Sequence, residues 1–125
     1  MNFFKKILRK IFRRPAILFV TLYANHIYQK GVKMADERHA REHKMIYLAK
    51  ENFRSGMLTT YDKRRFKTEK RVFGHHARLL TMTTLKRGCY YHTPDAFGCN
   101  GMSEESIEKR RQYFVRERLR LAGLI

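Results

Sequence analysis

At 125 residues the chain has the length of one domain, and its 43% hydrophobic and 13% aromatic content suffices for a single core. Its 28 Lys plus Arg against 11 Asp plus Glu leave a formal charge of +17, so the folded chain repels itself unless a polyanion or salt compensates. Two cysteines exclude a disulfide-built scaffold, and the absence of G-x-x-x-x-G-K-[ST], G-x-G-x-x-G and H-E-x-x-H removes the P-loop, dinucleotide-binding and zincin classes.

Residues 1–14 alternate apolar and basic pairs, Phe3, Phe4, Ile7, Leu8, Ile11 and Phe12 against Lys5, Lys6, Arg9, Lys10, Arg13 and Arg14. This is a basic amphipathic arm. Such a segment suits an anionic membrane surface, a mitochondrial targeting sequence, or a face inserted into nucleic acid or a partner groove. The first acidic residue is Asp36, which suits a targeting peptide, but the stretch is poor in Ser and carries no clear cleavage site. Residues 16–24, AILFVTLYA, are the most hydrophobic run. Their uncharged window from Pro15 to Gln29 falls short of the roughly 20 residues that a spanning helix needs. Pro15 fits a first helical turn, and Ile17, Val20, Ala24, Ile27, Gly31 and Ala35 follow at helical spacing. A helix over about 16–43 is expected, its apolar end in the core and its charged end, ADERHAREHK, projecting into solvent.

Two short apolar segments, 45–49 and 57–61, flank KENFRSG and read as an antiparallel hairpin that must pack on neighbouring helices. The stretch YDKRRFKTEKRVFG follows. Asp62 is a fitting N-cap and Gly74 a fitting C′ residue, with Phe66, Val72 and Phe73 turned inward and Lys63, Arg64, Arg65, Lys67, Lys70 and Arg71 fanned around the rest. Residues 75–87 read as irregular or briefly helical, with Leu79, Met82 and Leu85 on one face. Residues 88–101 read as a loop by their Gly, Pro and Asn content. Ser103 then caps a helix over about 104–121, acidic at its start and basic at its end, with Gly123 just past it and Ile107, Phe114, Val115, Leu119 and Ala122 facing inward.

The run ADERHAREHKMIYL followed by LTTYDKRRFKTEKR resembles small virion-associated proteins of tailed phages of gut Bacteroides-type bacteria, including crAss-like phages. The resemblance covers about residues 35–72 and extends toward RLLTMTTLKRGCYYHT. It implies a virion or virion-assembly component, with no catalytic residues to carry over.

Cys89, His92 and Cys99 supply thiolate and imidazole of the types zinc prefers, with His75 or His76 as a fourth ligand, but C-x2-H-x6-C matches no standard paired-ligand spacing. The two cysteines equally suit free thiols or a disulfide. A Cys-His nucleophile pair lacks a visible orienting group and oxyanion site, so no enzymatic activity is expected. Tyr90 and Tyr91, among Lys86, Arg87 and His92, have the chemistry to stack on bases as well as to fill a core.

The expectation is a mainly α-helical single domain with a small antiparallel β-hairpin: an arm over 1–14 and a helical body over 15–125. Its partner is expected to be nucleic acid, or an acidic partner inside a larger virion or cytoplasmic assembly, a ribonucleoprotein among them, and not a small-molecule substrate. Contact is expected through phosphates at Lys63, Arg64, Arg65, Lys67, Lys70, Arg71, Lys109, Arg110 and Arg116. The competing expectation is a membrane-surface protein held by residues 3–24.

Overall fold

A computed structural model describes residues 2–50, 57–72 and 81–125. Its longest element is α1 (Asn2–Glu42), a 41-residue helix of about 60 Å at 1.5 Å per residue. Strand β1 (Tyr47–Lys50) and strand β2 (Leu58–Tyr61) come next, then α2 (Lys63–Val72), the short α3 (Met82–Gly88), the two-residue strand β3 (Tyr91–His92) and α4 (Glu104–Leu121). The fold is mainly helical with one small antiparallel sheet, as composition and periodicity imply.

The hairpin forms in the expected place. Tyr47 faces Tyr61 and Lys50 faces Leu58 across the β1–β2 pair. Residues 88–101, read from sequence as a loop, instead supply a third strand, and the sheet runs β2-β1-β3. Two residues are too few to show an alternating pattern, so β3 is invisible locally. It exists because the second edge of β1 is buried and its backbone groups need partners. Tyr47 pairs with His92 and Leu48 with Tyr91. The pairing extends past the strand ends through Tyr90 N to Leu48 O at 2.8 Å and Thr93 N to Ile46 O at 2.9 Å. The Thr93 hydroxyl also accepts from Ile46 N at 2.9 Å.

Helix α1 crosses this sheet with the stripe read from its spacing. Ala24, Ile27, Gly31 and Ala35 are buried, and Ile17 and Val20 are partly so. Small residues bring the helix close: a Cβ on Gly31 would lie 2.9 Å from both terminal methyls of Leu48, a fully buried side chain. Phe114 of α4 completes the core, edge-on to Tyr90 at 5.2 Å between ring centroids and tilted against Tyr28 at 6.1 Å.

Two expectations for α1 are corrected. The helix does not start at Pro15. It runs through that residue from Asn2, so the arm is continuous with the helix that enters the body. Pro15 lacks an N–H for the Ile11 carbonyl, but the side chains of both residues are exposed there and water can serve instead. The charged end is also more than a solvated projection: the apolar stripe from Ile17 packs on the core as expected and most of ADERHAREHK is exposed, but Arg38 reaches across to Thr60 O and to Asp62, while the turns of the arm stand in solvent.

Both cap assignments hold. Asp62 Oδ1 accepts from Arg65 N at 2.6 Å, opening α2, and Ser103 Oγ accepts from Ser106 N at 3.2 Å, opening α4. Helix α4 closes in a Schellman arrangement. Gly123, at φ +71°, donates to Arg120 O at 3.0 Å, and Leu124 donates to Leu119 O at 3.0 Å. Ala122 sits at this C-cap and is exposed rather than part of the inner face. Phe66 is partly buried, while Phe73, Gly74 and Leu79 lie outside the described residues, as does the side chain of Val72.

The helix–sheet approach predicts that Gly31→Val lowers folding stability by about 1–3 kcal/mol through overpacking, read as a lower urea midpoint at unchanged slope. Adding Leu48→Ala should cost less than in the wild-type background, since the new side chain fills the vacated space.

Candidate nucleic-acid interface

In a chain with so few acids, where each carboxylate goes decides which cations remain available. Asp62 is buried at the junction of β2 and α2. Besides capping α2, its Oδ2 accepts from Lys44 Nζ at 2.7 Å and from an Arg38 guanidinium nitrogen at 3.0 Å. Arg38 also pairs with Glu42 one turn on. Asp36 accepts from the Tyr91 hydroxyl at 2.5 Å, and Glu117 accepts from the Tyr90 hydroxyl at 2.6 Å while pairing with Lys50. Asp95 organises a turn, taking Phe97 N and Cys99 N at 2.9 Å each and the Asn100 amide at 3.0 Å. Glu108 pairs with Arg111, which also reaches Asn25 of α1. Asp36, Asp62 and Glu117 thus join separate elements, whereas Glu42, Asp95 and Glu108 are engaged within their own helix or turn.

The expected phosphate-binding residues fall into two groups. Lys63, Arg64 and Lys67 are exposed along α2, and Lys109 and Arg116 are exposed along α4, although Lys109 has Glu105 at 3.4 Å on the same face. The side chains of Lys70 and Arg71 lie outside the described residues. Arg65 is not an outward residue. Its guanidinium folds back onto the sheet, donating to Thr60 O at 2.9 Å and Thr59 Oγ1 at 3.1 Å, and it sits 4.5 Å over the Tyr61 ring. Arg110 is likewise internal, donating to Cys89 O at 2.7 Å and Lys86 O at 3.1 Å, and so tying α4 to the end of α3. A guanidinium, with five donors in a plane, suits clusters of carbonyls that strand and helix ends leave open.

The cysteine–histidine grouping does not assemble. Among the described residues no three His, Cys, Asp or Glu side chains are placed to hold a metal ion; His75 and His76 lie outside them. Cys89 is buried, with its thiol donating to Lys86 O at 3.3 Å, and burial pushes that thiol up despite the nearby Arg110. Burial likewise holds His92 below the ordinary imidazole range, with its Nδ1 3.1 Å from Thr93 O. Cys99 is exposed on the Asp95 turn, and both cysteines are free thiols. Cys89 and His92 lie in the interior while Cys99 faces solvent, so the short sequence spacing is not a shared site.

Of the two readings of Tyr90 and Tyr91, base stacking or core packing, the structure has the core one. Both are buried, and desolvation raises the Tyr90 hydroxyl to about 12 and lifts that of Tyr91 further. Tyr28 behaves similarly at about 12, donating to Tyr90 O at 2.8 Å.

Sequence reasoning missed the Arg38–Asp62–Lys44 junction, whose members lie far apart in the chain. It read the apolar face of the arm but missed that this face continues past Pro15 through Leu18 and Leu22, although their spacing from Phe4, Leu8 and Ile11 contains that signal. No family model, curated protein or solved structure matches the chain.

Two measurements check this geometry. Burial alone would raise the Asp62 carboxyl, but Lys44, the Arg65 N–H and Arg38 outweigh it and hold the group below the usual range. A depressed folded pKa contributes stability that is fully present above the unfolded value of about 3.9 and is lost as pH falls through the folded value. Asp62→Asn should therefore cost about 1–3 kcal/mol near neutral pH. That difference from wild type should stay level down to about pH 5 and shrink below about pH 4, by chemical denaturation at each pH. With a thiol-specific reagent, Cys99 should react quickly in the native protein and Cys89 only on unfolding.

Proposed function

We propose that this protein is a non-enzymatic, strongly basic structural protein that binds the phosphate backbone of nucleic acid within a larger assembly. The observation that carries the reading is the division of charge. Asp36, Asp62 and Glu117 join separate elements, and Glu42 and Asp95 are engaged locally, while Lys63, Arg64, Lys67 and Arg116 point outward from their helices. Cations held on one helix face attract a polyanion and release its counterions on contact. Nothing in the chain matches a base-reading motif, so affinity is expected to be independent of sequence. A virion or other nucleoprotein assembly, in which a small basic component lies against packed nucleic acid, fits a chain of +17 and the phage resemblance noted above.

Retention of nucleic acid by the full chain should fall steeply with salt, log K against log salt having a slope of about −5 on duplex DNA for roughly six phosphate contacts. The triple variant Lys63→Gln, Arg64→Gln, Lys67→Gln should flatten that slope by about 2 to 3. Its thermal stability should hardly change, because exposed substitutions of this kind usually fall within about ±0.5 kcal/mol each. Arg65→Gln should show the reverse, losing stability more than affinity. Absence of binding at low salt, or a flat salt dependence, rejects the proposal.

A further inference from the structure

Helix α1 carries two apolar stripes on nearly opposite faces. One, Ile17, Val20, Ala24, Ile27, Gly31 and Ala35, lies against the sheet and α4. The other starts at Phe4 and returns at Leu8, Ile11, Leu18, Phe19 and Leu22, offsets of 4, 7, 14, 15 and 18 residues that keep to one side of a 3.6-residue helix. Each of these six side chains is exposed, from 41% at Leu8 to 71% at Phe4. The stripe is about 27 Å long at 1.5 Å per residue, and large apolar patches of this kind mark interaction surfaces.

We propose that this outer face of α1 is an interfacial helix that lies along an anionic lipid surface. Three observations select that occupant. Lys5, Lys6, Arg9, Lys10, Arg13 and Arg14 occupy the rest of the circumference in the same turns, and no Asp or Glu precedes Asp36, so the segment matches a negative surface in charge. The face also looks away from the sheet and α4, so a flat partner meets it without colliding with the body. Among the described residues no helix is long and apolar enough to cross a membrane, so the helix lies along the surface.

The inference rests on α1 alone and is independent of the nucleic-acid reading, which rests on α2 and α4. The full chain should cosediment with vesicles of phosphatidylglycerol and phosphatidylcholine, and at least ten-fold less with phosphatidylcholine alone. Phe19→Glu with Leu22→Glu should reduce vesicle binding at least ten-fold while leaving nucleic-acid retention within two-fold. The Lys63→Gln, Arg64→Gln, Lys67→Gln variant should do the opposite. Because both substituted side chains are exposed, the melting temperature should hold; Phe4→Glu with Ile11→Glu, in turns remote from the core, repeats the test should the first pair fail to fold. The chain contains no Trp, so Phe19→Trp gives a single reporter whose emission should shift to the blue with anionic vesicles. No cosedimentation of the wild-type chain, or equal cosedimentation of both Glu pairs, overturns the proposal. So does a concentration-dependent dimer that Phe19→Glu with Leu22→Glu dissolves in a chain that ignores vesicles, which assigns the face to a second copy.

Discussion

The buried carboxylate of Asp62 is the point on which the surrounding architecture depends. One side chain caps α2 and binds the guanidinium of Arg38 on α1 and the ammonium of Lys44 ahead of β1, so two helices and the hairpin share a single anion. Removing a buried ion that several groups face is costly because its partners are left desolvated and unpaired. In a chain of +17 the effect is sharpened, since Arg38 and Lys44 would then stand together without their common counter-charge. The net charge therefore makes each internal acid more important to folding, and leaves few to moderate the outside.

The close approach of α1 to the sheet complements this junction. Gly31 against Leu48 and the buried Ala24 and Ala35 allow a long helix to sit low over a three-stranded sheet, where larger residues would hold it off. Because one face is committed to that contact, the other is left to whatever lies outside the molecule. The body holds the helix by its middle and C-terminal turns. The N-terminal turns extend from that base with Arg13 touching Leu124 O at 3.2 Å, just past α4.

The basic residues divide by place, with both Arg and Lys on each side: Lys44 and Lys50 pair inside the fold, and Arg64 and Arg116 face solvent. Arg38, Arg65, Arg110 and Arg111 use planar forks to gather carbonyls, carboxylates and an amide across element boundaries. Lys63, Lys67 and Lys109 on flexible stems point to solvent. A count of Lys and Arg thus overstates the surface available to a polyanion, and the exposed subset is the part that a salt titration reads.

Local signals in the sequence were sufficient for much of the fold. The caps at Asp62 and Ser103, the Gly123 stop, the 17–35 stripe and the hairpin each arise from residues within a few turns of one another, where backbone geometry and side-chain chemistry act directly. What required tertiary structure involves partners distant in the chain. Strand β3 forms because β1 has an open edge. Arg65 and Arg110 turn inward because carbonyls from other elements await them, and Cys89 and His92 part from Cys99 because packing draws the first two inside. The anchoring of the charged end of α1 was decided the same way. Hydropathy places the apolar stripe in the core, where it lies, but the contact of Arg38 with a buried carboxylate far along the chain also ties down the charged end, and an electrostatic contact between remote residues leaves no periodic trace in either segment.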